Sequence, residues 1–230
     1  MKPHRGIIAC ALALALGGCD YFSPFEKICE QRLPPATVTV TGEPVRYETD
    51  FTRSIDYLSA KGAASTGRMV LGLVETKLGG NIDFSARGIV KPLSGRYCMR
   101  PSLAVTLAFK PTTLYVAREH APGSCEFDIT MAHEQKHIAV YQKYLEEMTA
   151  EVERELRGRL GDTIHYFDSA AAGEADMHER ASKILKPILD RGMAEAGRLQ
   201  AKVDTPEEYF FLETFQSRCA PGVSSLTAQP

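Results

Sequence analysis

Apolar residues recur at every third or fourth position over two long stretches in the second half of the chain. This spacing is typical of a helix that packs one face on a core. It predicts a long helix from about residue 126 or 128 to 160, ended by Gly161, and a second helix from about residue 168 that Pro187 should kink or divide. The first stripe comprises Tyr141, Tyr144, Leu145, Met148, Val152, Leu156 and Leu160, and the second comprises Met177, Ala181, Ile184, Leu185, Ile188 and Leu189.

The first half of the chain instead shows short runs rich in β-branched residues and bounded by turn residues. Residues 37–41 and 45–52 predict a hairpin or meander, and residues 103–109 and 113–117 predict an antiparallel pair of strands. A further short helix should begin after Thr205. The predicted strands therefore come before the three predicted helices.

The N-terminus is typical of an export signal. Basic residues precede an apolar run over residues 6–16 that is too short to span a bilayer and ends in small residues. Residues 16–19, Leu-Gly-Gly-Cys, resemble the bacterial lipobox, in which cleavage before the cysteine leaves a lipid-modified N-terminus. The resemblance implies lipidation of Cys19 and a location in the cell envelope, anchored to a bacterial membrane and facing the periplasm. A plain secreted protein cleaved nearby is the alternative.

Length and charge bound the rest of the chain. With residues 1–18 as a signal peptide, residues 19–35 are expected to be a tether, residues 36–219 one domain and residues 220–230 a disordered tail. The net charge is −2 and the acids and bases are interspersed, so no basic footprint for nucleic acid exists. No later stretch approaches the roughly 18 consecutive apolar residues of a membrane helix. Membrane attachment is therefore expected to come from the lipid.

Four cysteines remain after the signal cysteine and the lipidation site are set aside, namely Cys29, Cys98, Cys125 and Cys219. In an oxidising compartment an even number predicts two disulfides, with three connectivities that the sequence does not settle. We favour Cys98 with Cys125 and Cys29 with Cys219. No Cys-x-x-Cys spacing is present, so these residues are not expected to ligate zinc.

The most specific motif is His-Glu-x-x-His at residues 133–137. On a helix, His133 and His137 lie one above the other on the apolar stripe, so both imidazoles can ligate one ion with Glu134 alongside. Zinc bound by three protein ligands keeps a position for water and lowers the pKa of that water to about 7, and a carboxylate can then take its proton. The motif thus predicts metal-assisted hydrolysis. The alternative is a pair of core histidines bonded to backbone or carboxylate groups.

A third zinc ligand is expected on the second helix. Glu174 and His178 both lie on its inward stripe. We favour Glu174, because two histidines and a glutamate form a recurring hydrolytic set, with His178 as the alternative. For stabilising an oxyanion, His165 and Tyr166 carry suitable donors near the predicted cleft.

Residues 131–137 resemble zincin metallopeptidases, and together with the strands and cysteine before them they are similar to a secreted bacterial family of zinc proteases of otherwise undefined function. The resemblance covers about residues 97–218. It implies a zincin-like α+β fold, in which an antiparallel sheet packs on the long motif helix with a second helix behind it and the edge strand 113–117 pairs with an extended peptide. It also implies His133 and His137 as ligands and Glu134 as base.

Two departures from that pattern matter. Lys136 stands where zinc-protease helices usually carry an uncharged residue, and the glycine and third histidine of metzincins are absent, which excludes a metzincin. The sequence therefore predicts a membrane-anchored zinc-dependent hydrolase, a peptidase acting on a peptide or protein by Glu134-assisted attack of zinc-bound water on a carbonyl. The alternative is a non-catalytic envelope lipoprotein that binds a partner or zinc.

Overall fold

A computed structural model describes residues 24–62, 69–85 and 87–219 of the chain. The expected signal peptide, Cys19 and the expected tail from residue 220 lie outside the described residues. The five described helices are α1 (Phe25–Arg32), α2 (Ile55–Gly62), α3 (Cys125–Leu160), α4 (Ala170–Gln200) and α5 (Pro206–Gln216). The nine described strands are β1 (Thr37–Gly42), β2 (Glu48–Asp50), β3 (Gly72–Glu75), β4 (Leu78–Phe84), β5 (Gly88–Val90), β6 (Tyr97–Met99), β7 (Ser102–Phe109), β8 (Thr113–Val116) and β9 (His165–Phe167). The predicted α+β class is confirmed.

Three segments of the chain, residues 37–50, 72–84 and 102–116, each contribute one strand to each of two sheets. The first sheet has the order β1-β7-β4 and the second has the order β2-β8-β3. The central strand of each sheet pairs in parallel with β1 or β2 and antiparallel with β4 or β3. Pro111 lies in the interruption between β7 and β8, where a residue without an N–H cannot donate to a ladder. The sheets are therefore mixed, and the expectation of an antiparallel sheet is wrong.

The predicted strands are present, but their predicted pairings are wrong. β7 and β8 do not pair with each other. The chain continues in the same direction past Pro111, so the two strands lie in different sheets. Residues 37–41 form β1, whereas the run 45–52 contributes only β2, which joins the other sheet. The strand expected at an edge, 113–117, is the central strand of its sheet, and β3 is an outer strand instead.

α3 and α4 form a long antiparallel hairpin over the sheets. Ser124 caps α3 by accepting a hydrogen bond from the amide of Phe127 (3.1 Å), and Gly161, at φ +62°, ends it. α4 begins at a Ser169 cap and continues through Pro187, so of the two predicted effects of this proline, a kink or a division, the division does not occur. The inward stripes of both helices meet β1, β4 and β7 in one core.

Contacts between α3 and α4 show that the two helices are antiparallel, since residues near the start of α3 lie beside residues near the end of α4. Gln200 donates from its side chain to the carbonyl of His137 (3.1 Å). About two to three helical turns further along, the space beside Gly192 is filled by Met148 of α3. The start of α4 accordingly lies at the far end of α3, next to β9 and β6.

The two disulfides join Cys29 to Cys98 and Cys125 to Cys219, so the pairing favoured from the sequence is wrong. The first bond exists because the segment expected to be an irregular tether contains helix α1. Phe25 and Cys29 of that helix are buried against Cys98 of β6. The second bond joins the first residue of α3 to the chain directly after α5, because α5 returns across the start of α3.

Candidate metal centre

Three ligand atoms converge where the start of α3 meets the loop after α4. The Nε2 atoms of His133 and His137 are 3.2 Å apart, as expected for residues four apart on a helix. Oδ1 of Asp204 lies 3.2 Å from Nε2 of His133 and 3.3 Å from Nε2 of His137. Both imidazoles are buried and the carboxylate is partly buried. The arrangement can hold a metal ion.

Hydrogen bonds on the far side of each ring determine which nitrogen faces the centre. Nδ1 of His137 lies 2.5 Å from Oε1 of Gln200, an amide oxygen that can only accept. Nδ1 of His133 lies 3.4 Å from the Glu208 carboxylate. Both Nδ1 atoms therefore carry the proton, and both Nε2 atoms offer a lone pair. Three lone-pair donors facing one another require a positive charge between them.

The charges at the centre agree with that requirement. Burial opposes the ionisation of Asp204, but hydrogen bonds with His133 and His137 prevail and hold the pKa of this carboxyl well below its usual range. Burial also disfavours a charged His137, yet Asp204 and Glu134 outweigh it and raise the pKa of that imidazole. Both shifts show that the centre favours positive charge on the imidazoles and negative charge on Asp204.

Glu134 lies beside this centre, in contact with the edge of the second sheet. Its side chain is buried, and burial raises its pKa to about 7 although both imidazoles act in the opposite direction. The carboxylate packs directly against Gly72 of β3, where any Cβ would overlap with it. Glycine at residue 72 thus lets the β3 backbone approach the carboxylate closely.

The segment that follows α4, residues 201–219, supplies the rest of the site, and we call it the arm. Thr205 caps α5 by accepting from the amide of Glu208 (3.1 Å). The Glu208 carboxylate also forms an ion pair with Lys136, so the unusual lysine of the motif holds the acid that orients His133. The hydroxyl of Tyr209 donates to Asp204 (3.1 Å). α5 buries none of its side chains, and the Cys125–Cys219 disulfide joins the chain just beyond it to α3.

A cavity of about 530 Å³ opens over the centre, between β3 and α5. His133, Glu134, His137 and Asp204 all line it. Its β3 side is apolar and includes Met69, Val70, Leu71, Leu73 and Val74, whereas its α5 side combines apolar and polar residues, namely Tyr209, Leu212, Glu213 and Gln216. A ligand in this cavity would touch the motif residues and the outer strand together.

The remaining predicted site residues lie elsewhere. Glu174 and His178 are exposed near the start of α4, and Glu174 is roughly 26 residues, or about 39 Å, before Gln200 along that helix. His165 and Tyr166 lie on β9, which pairs with β6 and packs on the same distant end of α4. The expectations for Glu174 and His178 are wrong because both side chains are exposed and lie at the far end of the antiparallel hairpin. Those for His165 and Tyr166 are wrong because β9 directly follows the far end of α3.

The third ligand candidate, Asp204, was missed by the sequence analysis. A usable signal was present, because a helix hairpin returns to its starting level only after a second helix about as long as the first. The residues level with His137 are therefore those at the end of α4 and just after it. Comparisons with protein families, curated proteins and solved structures found no match to this chain.

Proposed function

We propose that the protein is a zinc-dependent hydrolase that cleaves peptide bonds. The observation that carries the proposal is the triangle formed by His133, His137 and Asp204, whose ligand atoms lie 3.2 to 3.3 Å apart. Ligand atoms at zinc–nitrogen distances on a tetrahedral ion are about 3.3 Å from one another. Two imidazoles and one carboxylate also leave a fourth position open, as in catalytic zinc sites.

Zinc at such a site polarises carbonyl groups and makes water a nucleophile near neutral pH. Glu134 is the base in this proposal, because its carboxylate lines the same cavity and adjoins both imidazoles. Its contact with Gly72 fixes the carboxylate between the centre and the strand. It can accept a proton from water and pass it to the leaving amine.

A peptide is the substrate class that the cavity suits best. β3 is an outer strand of its sheet among the described residues, so one edge of its backbone is available to an added strand. That edge borders the cavity, and the apolar side chains of both walls can receive substrate side chains. A peptide paired with β3 would bring a carbonyl near Glu134. In the proposed zincin-like arrangement, β3 would take the place that the resemblance assigned to residues 113–117.

We also propose that the chain is anchored through lipid on Cys19 and faces an oxidising compartment. The two disulfides support an extracytoplasmic location, since reduced thiols prevail in the cytosol. Among the helices that the structure describes, none combines the length and the apolar character needed to cross a bilayer. The lipobox-like residues 16–19 support the anchor.

Replacing the base tests the proposed activity. In the full chain, Glu134→Gln should retain zinc and lose about 10²- to 10⁴-fold in peptide hydrolysis, because the amide cannot accept the proton. Glu147→Gln, an exposed glutamate on the same helix, is the matched control. Hydrolysis of a peptide library by Glu134→Gln at the rate of the parent would show that the mechanism is wrong.

A further inference from the structure

We propose that the turn between β5 and β6, residues 91–96, is a membrane-contacting surface that inserts Leu93 into a phospholipid bilayer. This surface is remote from the candidate metal centre and does not depend on the hydrolase activity. It does rest on the proposed anchoring at Cys19, which holds this end of the molecule near a membrane.

Leu93, in the middle of this turn, combines full exposure with a strained backbone conformation. Its side chain is completely exposed, at 105% relative accessibility, and its φ is +68°. It is the one non-glycine residue of the described segments in that left-handed region, where glycine or asparagine is usual. A leucine here gains no burial within the fold and strains the backbone. Such a position is best explained by a contact outside the chain.

The residues around Leu93 match the interface of a bilayer. The guanidinium of Arg96 lies 5.7 Å and the ammonium of Lys91 lies 5.8 Å from the ring centre of Phe25. Glu26, the second residue of α1, is paired with Arg96 at 3.4 Å. Long cationic side chains beside an apolar tip can extend to lipid phosphates while the tip enters the acyl region.

The position of the anchor selects a membrane over a protein partner. α1 begins at Phe25, directly beneath the two cations. The Cys29–Cys98 disulfide joins α1 to β6, which forms a third sheet with β5 and β9. Four residues lie between Cys19 and Pro24, and the five steps of the chain from one to the other span at most about 18 Å. Lipid on Cys19 would therefore keep the turn within reach of the bilayer surface.

Contact between this turn and a bilayer would also determine how the metal centre is oriented relative to the membrane. The N-terminal segment meets the end of α3, where the amide of Ala36 donates to Asp162 (2.8 Å). His137 precedes Leu160 by roughly 23 residues on that helix, which is about 35 Å. The cavity would then open well away from the lipid, towards substrates in the aqueous compartment.

Site-specific photocrosslinking tests the surface. Benzoylphenylalanine replaces Leu93 in the full chain, and the same replacement at Phe211 is the control, because Phe211 is also an exposed apolar residue but lies on α5. Each purified protein is mixed with vesicles of phosphatidylcholine and phosphatidylglycerol and irradiated, and lipid adducts are measured by mass spectrometry. We expect lipid adducts at residue 93 and none above background at residue 211.

Failure of this proposal and failure of the anchoring give different results. Mass spectrometry of the N-terminal peptide of the exported parent, with Cys19→Ala as control, tests the anchor alone, and a Cys19 without lipid in the parent would contradict it. The vesicle experiment reports on the turn in either case. Absence of lipid adducts at residue 93, equal adducts at residues 93 and 211, or a crosslink from residue 93 to a protein would overturn the membrane surface.

Discussion

Nε2 of His133 lies 3.2 Å from Oδ1 of Asp204, although the two residues are 71 positions apart in the sequence. The helix hairpin of α3 and α4 brings them together, because α4 returns the chain to the level of the motif. The centre therefore combines a rigid helix with a short arm that follows α4. Changes in that arm should affect metal binding as strongly as changes in the motif.

Gly72→Ala should reduce hydrolysis about 10- to 100-fold while zinc content stays unchanged. The added methyl group overlaps with the Glu134 carboxylate and must displace it, and small misplacements of a catalytic group are costly. Steady-state hydrolysis and metal analysis of the same sample measure both effects. Gly79→Ala is the control, because a Cβ there meets nothing within 4 Å. Unchanged activity in Gly72→Ala would contradict the role of this contact.

Removing the Cys125–Cys219 disulfide should weaken zinc binding. α5 buries no side chain, so this bond supplies a covalent restraint on the arm that carries Asp204. Cys125→Ser with Cys219→Ser should lower zinc affinity in a competition titration with a chelator. Cys29→Ser with Cys98→Ser is the matched control, since either double variant should lose about 2 to 5 kcal/mol of stability. Equal zinc affinity in the two double variants would refute the restraint.

Glu208→Gln should lower zinc affinity about 10- to 100-fold, the usual effect of losing an acceptor behind a ligating imidazole. The amide is a weaker acceptor for Nδ1 of His133, and it also loses the ion pair with Lys136. The same competition titration measures the change. Glu207→Gln, at the exposed neighbouring residue, should bind zinc like the parent. If the two variants bound zinc equally, Glu208 would have no such role.

Leu93→Gly should be as stable as the parent or up to about 1 kcal/mol more stable. Glycine relieves the strain of φ +68°, and this gain offsets the greater flexibility of glycine in the unfolded chain. Ser94→Gly lacks that gain and should be less stable than the parent. Chemical denaturation of the two variants compares them. A clear loss of stability in Leu93→Gly would show that the leucine serves the fold.

Local patterns in the sequence were enough to find the three helices α3, α4 and α5 and the strands β1, β7 and β8. The bounds of α3 followed from its apolar stripe and from Gly161, and the Thr205 cap located α5. Both signals act within one or two helical turns. The spacing of His133 and His137 is equally local, so their convergence was predictable.

Relationships between distant segments were not predictable in the same way. The three residues between β7 and β8 in the sequence are a usual length for a hairpin turn. The two strands do not pair because each pairs with other segments of the chain. The cysteines allowed three pairings, and the correct pairing depends on α1 packing on β6. Glu174 lies on α4 as expected, but it is exposed and lies far from the motif along that helix.

Metal analysis of the exported full chain tests the central claim most directly. We predict that the parent binds zinc stoichiometrically, that Asp204→Ala loses it, and that Glu174→Ala keeps it. A parent chain that stays metal-free in saturating zinc, or an Asp204→Ala variant that binds zinc as tightly as the parent, would contradict the account.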